Sequence, residues 1–210
     1  MGIVHVLKPV FGPILARPLS RRFDKAERRA ILDAAYDDYD AHAADVPDEA
    51  TAGARVLLHL SAVLIGLYRA LVARGVADAE ARDLIAEVTE RVFLRIVGVS
   101  NIFGALGRGS KAEQFKRSSE ALGRVLFAPP SWQMEEVADP RYTVAFDMHR
   151  CPLAEYFAAR DASDLCVSAI CALDFKIHPE SEVKLIRIGT IAGGADRCDF
   201  RWRVRGDDDR

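Results

Sequence analysis

The proline pair at 129–130 marks the feature that most constrains how this chain folds, because the hydrophobic repeat changes there. Before it, apolar residues recur every three to four positions; after it, they alternate. A period near 3.6 buries one stripe of a helix, whereas a period of two buries one face of a strand. Proline lacks the N–H that a helix needs, and its ring clashes with the preceding turn, so two in succession end a helix. The expected fold class is therefore α+β: an N-terminal bundle of about four helices, then an antiparallel sheet of three or more strands with covering helices. The expected organisation is a helical region over 1–130 and an α+β region over 131–210, packed as one compact unit.

The helical segments carry their own start and stop signals. "DKAERRAILDAAYDDYDAHAAD" (24–45) opens on Asp24 as N-cap, and "DAEARDLIAEVTERVFLRIVGVSNIFGAL" (78–106) opens on Asp78. In "SKAEQFKRSSEALGRVLFAPP" (110–130), Ser110 and Glu113 form a capping-box pair. "DEATAGARVLLHLSAVLIGLYRALVARG" (48–75) is the most apolar, and Gly75 suits its C-cap. A membrane span needs about 20 mostly apolar residues. The run from Val56 to Ala73 holds His59, Ser61 and Arg69, so a buried bundle helix is expected rather than a span. Gly66 and Gly98 are read as points of close helix packing, and His59 as a hydrogen-bonded core histidine. The opening "MGIVHVLKPVFGPILARPLSRR" is broken by Lys8, Pro9, Pro13 and Arg17. It is expected to be an arm lying on the fold, with an amphipathic membrane-surface segment as the alternative. It lacks the apolar core of a secretory signal, so a cytoplasmic location with reduced thiols is expected.

After the prolines, "RYTVAFDMHRC" (141–151) alternates, with Tyr142, Val144, Phe146 and Met148 on one face. "PLAEYFAARDASDLCVSAICALD" (152–174) reads as helix with a break near Asp161. "EVKLIRIGTIAGG" (182–194) reads as a strand closing on Gly193 and Gly194, which suit a turn with positive φ. In "CDFRWRVR" (198–205), Cys198, Phe200, Trp202 and Val204 share the core face. The closing "GDDDR" reads as a solvated tail.

A formal net charge of −2 and a pI near 6.2, without a basic stripe, argue against nucleic acid as a partner. The expected partner is a small-molecule substrate; self-association through the first helix is a further reading. The chain has four cysteines, too few for a disulfide scaffold, and all fall after the prolines. Cys151 ends a strand, Cys171 and Asp174 are three apart and share a helical face, Asp196 sits in the glycine turn, and Cys198 opens the last strand. The ordinary reading of each is structural: a small buried hydrophobe for a cysteine, a helix end for Asp174, a solvent-facing ring for His149, an ion pair for Arg187.

Taken together, "RCPLAEYF", "LCVSAICALD" and "LIRIGTIAGGADRCDFRW" resemble the L-2-amino-thiazoline-4-carboxylic acid hydrolase family over roughly residues 140 to 204. That family shows a Cys-Pro start, a cysteine-bearing helix followed by Asp, and a Gly-Gly-Asp-x-Cys-Asp-Phe ending; here the ending reads Gly-Gly-Ala-Asp-Arg-Cys-Asp-Phe. The resemblance implies a small-molecule hydrolase that opens a ring at a cyclic C–N bond, converting 2-amino-thiazoline-4-carboxylate to N-carbamoyl-cysteine. The family is also distantly similar to 4-vinyl-reductase-like small-molecule-binding domains, which makes a non-catalytic binding or sensory domain the alternative.

Two chemistries suit these residues. In one, a carboxylic acid protonates the ring nitrogen and a carboxylate deprotonates water, with Asp174 and Asp196 as the pair. In the other, a thiolate attacks first, with Cys171 ahead of Cys198 as nucleophile. A thiolate forms readily only beside a cation or helix N-terminus, and Arg187 and His149 are the cations available. Arg187, Cys151 and His149 are thus the substrate-binding residues expected, Arg187 through its planar fork to a carboxylate. No cofactor is expected. Zinc held by Cys151, Cys171, Cys198 and an aspartate is the competing arrangement, although the spacings lack the short cysteine pair of structural zinc sites. The site residues are expected to converge at one end of the C-terminal sheet.

Overall fold

The computed structural model describes residues 3–105, 108–177 and 182–205. The tail from 206 lies outside them. The fold is α+β, with helices first and an antiparallel four-stranded sheet after them. Helices α1 (Ile3–Leu19), α2 (Lys25–His42), α3 (Ala52–Val72), α4 (Asp78–Ala105) and α5 (Lys111–Leu126) precede strands β1 (Gln133–Glu136) and β2 (Val144–Arg150). Helices α6 (Pro152–Ala158) and α7 (Ser163–Ala169) follow, then a 3₁₀ turn over Cys171–Phe175, β3 (Val183–Ile186) and β4 (Cys198–Val204).

The local signals act where they were expected at Asp24, Ser110 and Gly75, whereas Asp78 is the first residue of α4 rather than its N-cap. Asp24 and Ser110 accept from the backbone N–H groups of Glu27 and Glu113, and both glutamates reach back to complete the capping box. Gly75 takes φ +78 beyond the end of α3, where a side chain would be strained. The α2–α3 pair is close enough that a Cβ at Gly66 would lie 2.7 Å from the Ala35 carbonyl oxygen. Gly98, by contrast, has nothing within 4 Å of a Cβ position, so it marks no close packing. His59 shares a 3.0 Å hydrogen bond with the Tyr39 hydroxyl, and burial lowers its pKa. Helix α3 is long and apolar enough to cross a bilayer by length and composition, but more than half of its most apolar window is buried inside the fold.

Three elements depart from expectation. The N-terminal arm is helix α1 despite Pro9, Pro13 and Pro18; Val4, Ile14, Leu15 and Leu19 are buried, and Arg21 and Arg22 beyond its end pair with Glu87 and Glu80 of α4. Strand β1 has no hydrophobic alternation, because it is an exposed edge paired only to β2. Strand β3 stops at Ile186 rather than running to the glycines. There the Ile188 and Gly189 N–H groups donate to the Asp199 carboxylate, at 2.8 to 3.1 Å, instead of to a neighbouring strand.

The sheet order is β1-β2-β4-β3, all antiparallel. Register pairs Met148 with Cys198, Phe146 with Phe200 and Val144 with Trp202. These six side chains form one face, directed at the helices, and the Phe146 and Phe200 rings stack at 4.8 Å. Arg150 fastens the end of β2 to the helical layer through both oxygens of Glu49, at 2.7 and 3.2 Å, and the Ser131 carbonyl at 2.7 Å.

Candidate active site

Between the sheet face and α3, α4 and α5 lies a cavity of about 260 Å³. Its walls are mainly aliphatic and aromatic, and Cys151, Cys171, Asp174, Arg187 and Cys198 all line it. A concave, mainly apolar pocket with a few convergent polar groups is the usual form of a small-molecule site.

Each polar residue arrives there for a local reason. Cys151 is the N-cap of α6: its sulfur accepts from the Ala154 N–H at 3.5 Å, and Pro152 fills the first helical position. Helix α6 ends at Ala158, and Asp161 adopts φ +52 before α7 begins. Cys171 and Asp174 then fall on a 3₁₀ turn, where residues three apart eclipse one another, so both side chains share one side. Arg187 follows β3 and turns inward, leaving its side chain 4% exposed. It pairs with the Asp174 carboxylate, donates to the Cys171 carbonyl at 2.7 Å, and lies over the Phe175 and Phe200 rings at 5.0 and 5.1 Å. Cys198 opens β4, and its sulfur accepts from the Ile191 N–H at 3.2 Å.

Asp196 and His149 do not join them. Gly194, at φ +91, carries the chain past the sheet end, and Asp196 is exposed on that connection. His149 projects from the outer face of β2 and pairs with Glu135 at 3.3 Å. Asp199, the second acid of the motif, is structural, since it holds the turn after β3. Sequence reasoning missed Cys166 and Thr190. Cys166 is 1% exposed, and it and Thr190 both bear on the electrostatics of the Cys171 thiol. Thr190 lies within the quoted motif, but its approach to Cys171 depends on the unforeseen turn after β3.

The four thiols are free and electrostatically unlike. Burial pushes Cys151 up to about 12 and also raises Cys198, so both stay protonated at neutral pH. Cys166 is raised because its proton is held against the Cys171 sulfur. Cys171 alone moves down: the Cys166 hydrogen bond outweighs burial and the Asp174 charge, helped by Arg187 and Thr190. Burial raises Asp174 to about 6 against the opposing pull of Arg187. Among the described residues, no group of three or more His, Cys, Asp or Glu side chains is arranged to hold a metal ion.

The Asp174 shift has a stability consequence. The folded protein holds this proton more tightly than the unfolded chain does, so stability from this group is greatest below pH 4 and falls as pH rises towards 6. A displacement of about two units corresponds to about 3 kcal/mol. Denaturant unfolding of the protein and of Asp174→Asn at pH 4 and pH 7 is expected to show the parent losing about that much more than the variant across the interval.

The arrangement is an α+β scaffold holding a mainly apolar cavity with one polar end, where a buried arginine pairs with Asp174 and donates to the Cys171 carbonyl. Within that class the chain belongs to the L-2-amino-thiazoline-4-carboxylic acid hydrolase family, whose description matches residues 57–202, well over half of its length. The match takes in most of α3, all of α4 and α5 and the cysteine motifs, and leaves out α1 and α2. No curated protein and no solved structure matches the chain.

Proposed function

We propose that this protein is a hydrolase that opens a small ring at its C=N carbon, with Cys171 as nucleophile and Asp174 as its proton partner. The observation that carries this reading is the meeting of Cys171, Asp174 and Arg187 at the cavity wall. The exposed position of Asp196 favours the thiolate route over the two-carboxylate route, which would need a second acid inside. A cavity lined by Cys171, Asp174 and Cys198 also speaks for catalysis over simple ligand storage.

For a 2-amino-thiazoline the steps balance as follows. The substrate enters as its amidinium, the ring nitrogen having taken its proton from water, and the Cys171 thiolate adds to the ring carbon between sulfur and nitrogen. The ring C–S bond breaks, and Asp174 gives its proton to the departing sulfur. The product of this stage is an isothiourea joining Cys171 to the opened substrate. Water adds to the same carbon and Asp174 takes one of its protons; the other returns to bulk water as the C=O bond forms and the Cys171 sulfur leaves as thiolate, giving the N-carbamoyl thiol. The C–N linkage is thus attacked as C=N and kept, while C–S is cleaved. Arg187 keeps the carboxylate and thiolate from repelling one another, and its remaining N–H groups suit a substrate carboxylate.

Purified protein incubated with 2-amino-thiazoline-4-carboxylate should release N-carbamoyl-cysteine, followed by mass spectrometry. The active form holds one proton between Cys171 and Asp174, so kcat/KM should be bell-shaped. Activity should rise through pH 6 and fall at a higher pH that lies below the ordinary thiol value. Absence of turnover across pH 5 to 9 counts against the proposed reaction.

A further inference from the structure

The reactive groups occupy one end of the cavity, and the rest of it is built for something else. Its floor is the inner face of β4, where Cys198, Phe200 and Trp202 follow in alternate positions. At about 3.3 Å per residue, the distance from Cys198 to Trp202 is about 13 Å, several times the width of a five-membered ring. The roof over the far part comes from the helices, with Leu60 and Leu64 of α3, Val92 of α4, and Phe115 and Leu122 of α5. The Phe115 and Trp202 rings meet at 5.8 Å. Polar groups among these walls are sparse, and the Thr89 hydroxyl is already committed to the Ile85 carbonyl at 2.8 Å. A compact, fully polar molecule would satisfy Cys171, Asp174 and Arg187 but leave this length unfilled.

We infer that the substrate is an amphiphile: a cyclic isothiourea or amidine head at the Cys171 end, carrying an aliphatic or aromatic tail that runs along β4 beneath α3 and α5. This rests on the hydrolase reading of the same site and narrows its substrate class. The head supplies the C=N carbon; the tail supplies binding energy through apolar burial. Because Arg187 is already paired with Asp174, the head needs no net negative charge to be accepted, and a neutral or singly protonated ring fits.

The chain's two tryptophans, Trp132 and Trp202, both line the cavity, so intrinsic fluorescence reports binding independently of turnover. The experiment uses 2-amino-thiazolines bearing hydrogen, methyl, butyl, hexyl or phenylethyl at the ring carbon next to sulfur, with Kd from fluorescence and turnover from mass spectrometry. Affinity should tighten about 4-fold for each added methylene until the cavity is full. Gly123 of α5 lines the cavity, and a Cβ there would meet nothing within 4 Å. Gly123→Leu should therefore fold and weaken binding of the hexyl member about 10-fold by occupying the tail space; circular dichroism checks its helix content. Tightening with length together with turnover supports both readings. Tightening without turnover of any member supports the amphiphilic ligand and overturns the hydrolase reading. Affinities that stay flat with length while the parent ring is turned over overturn the amphiphile and leave the hydrolase. No binding by any member overturns the inference, whether or not Gly123→Leu folds.

Discussion

Cys171→Ser is expected to lower kcat/KM for a hydrolysed thiazoline by about 10³-fold or more, while Tm moves by no more than about 2 °C. The chemical effect is large because a serine hydroxyl does not ionise at neutral pH, and the partners that favour the thiolate are matched to sulfur. The structural effect is small because Arg187 is held by the Cys171 backbone carbonyl, which serine retains. Steady-state kinetics alongside a thermal melt separates the two. Loss of folding instead would mean that Cys171 is a packing residue. Cys166→Ala is the informative companion, since it removes the donor that stabilises the Cys171 thiolate and should move the alkaline limb of the pH profile upward.

Arg187→Met is expected to be the most destabilising single change at this site, by about 3–5 kcal/mol. The guanidinium is nearly fully buried and is the cation that Asp174 is paired with. Without it, a carboxyl already raised to about 6 must rise further or stay charged without a partner. The loss should therefore be larger at pH 7 than at pH 5, where Asp174 already holds its proton. For a chain of this length, the corresponding fall in Tm is roughly 6–20 °C. The double change Arg187→Met with Asp174→Leu should recover most of that stability and remain inactive, because both charges leave together. A single variant that melts like the parent would show that the pair contributes little to the fold.

The parts of this architecture that were legible in the sequence are those set by neighbours along the chain. The caps at Asp24 and Ser110 need a partner only three residues away. The alternation of Cys198, Phe200, Trp202 and Val204 is copied directly into the buried face of β4. The three-residue spacing of Cys171 and Asp174 places them together on a 3₁₀ turn as it would on an α-helix. What stayed hidden depends on partners distant in sequence. Strand β1 exists because β2 offers it an edge, and its own residues carry no strand pattern. Helix α1 tolerates its internal prolines because its apolar side is covered by the bundle. Arg187 was expected on a continuing strand, yet the Asp199 carboxylate captures the next two N–H groups and ends the ladder. That same interruption helps to explain why Asp196 faces solvent, because the chain must detour through a 3₁₀ turn and Gly194 before β4 begins.

The cysteines illustrate how position along the chain and chemistry separate. All four gather near one end of the sheet, and the sequence placed Cys171 ahead of Cys198 only through its three-residue spacing from Asp174. Their surroundings give that order its physical reason: an N–H donor and burial for Cys198, a thiol donor, a hydroxyl and an arginine for Cys171.

The claim that Cys171 forms a covalent bond to the substrate carbon is tested most directly by trapping that bond. The protein is mixed with a thiazoline substrate, quenched in acid within the first turnover, and measured by intact and peptide mass spectrometry. The expected result is an increase equal to the full substrate mass, located on the peptide containing Cys171 and absent from Cys171→Ser. Turnover by Cys171→Ser at the parent rate, with no adduct on any cysteine of the parent protein, would contradict it.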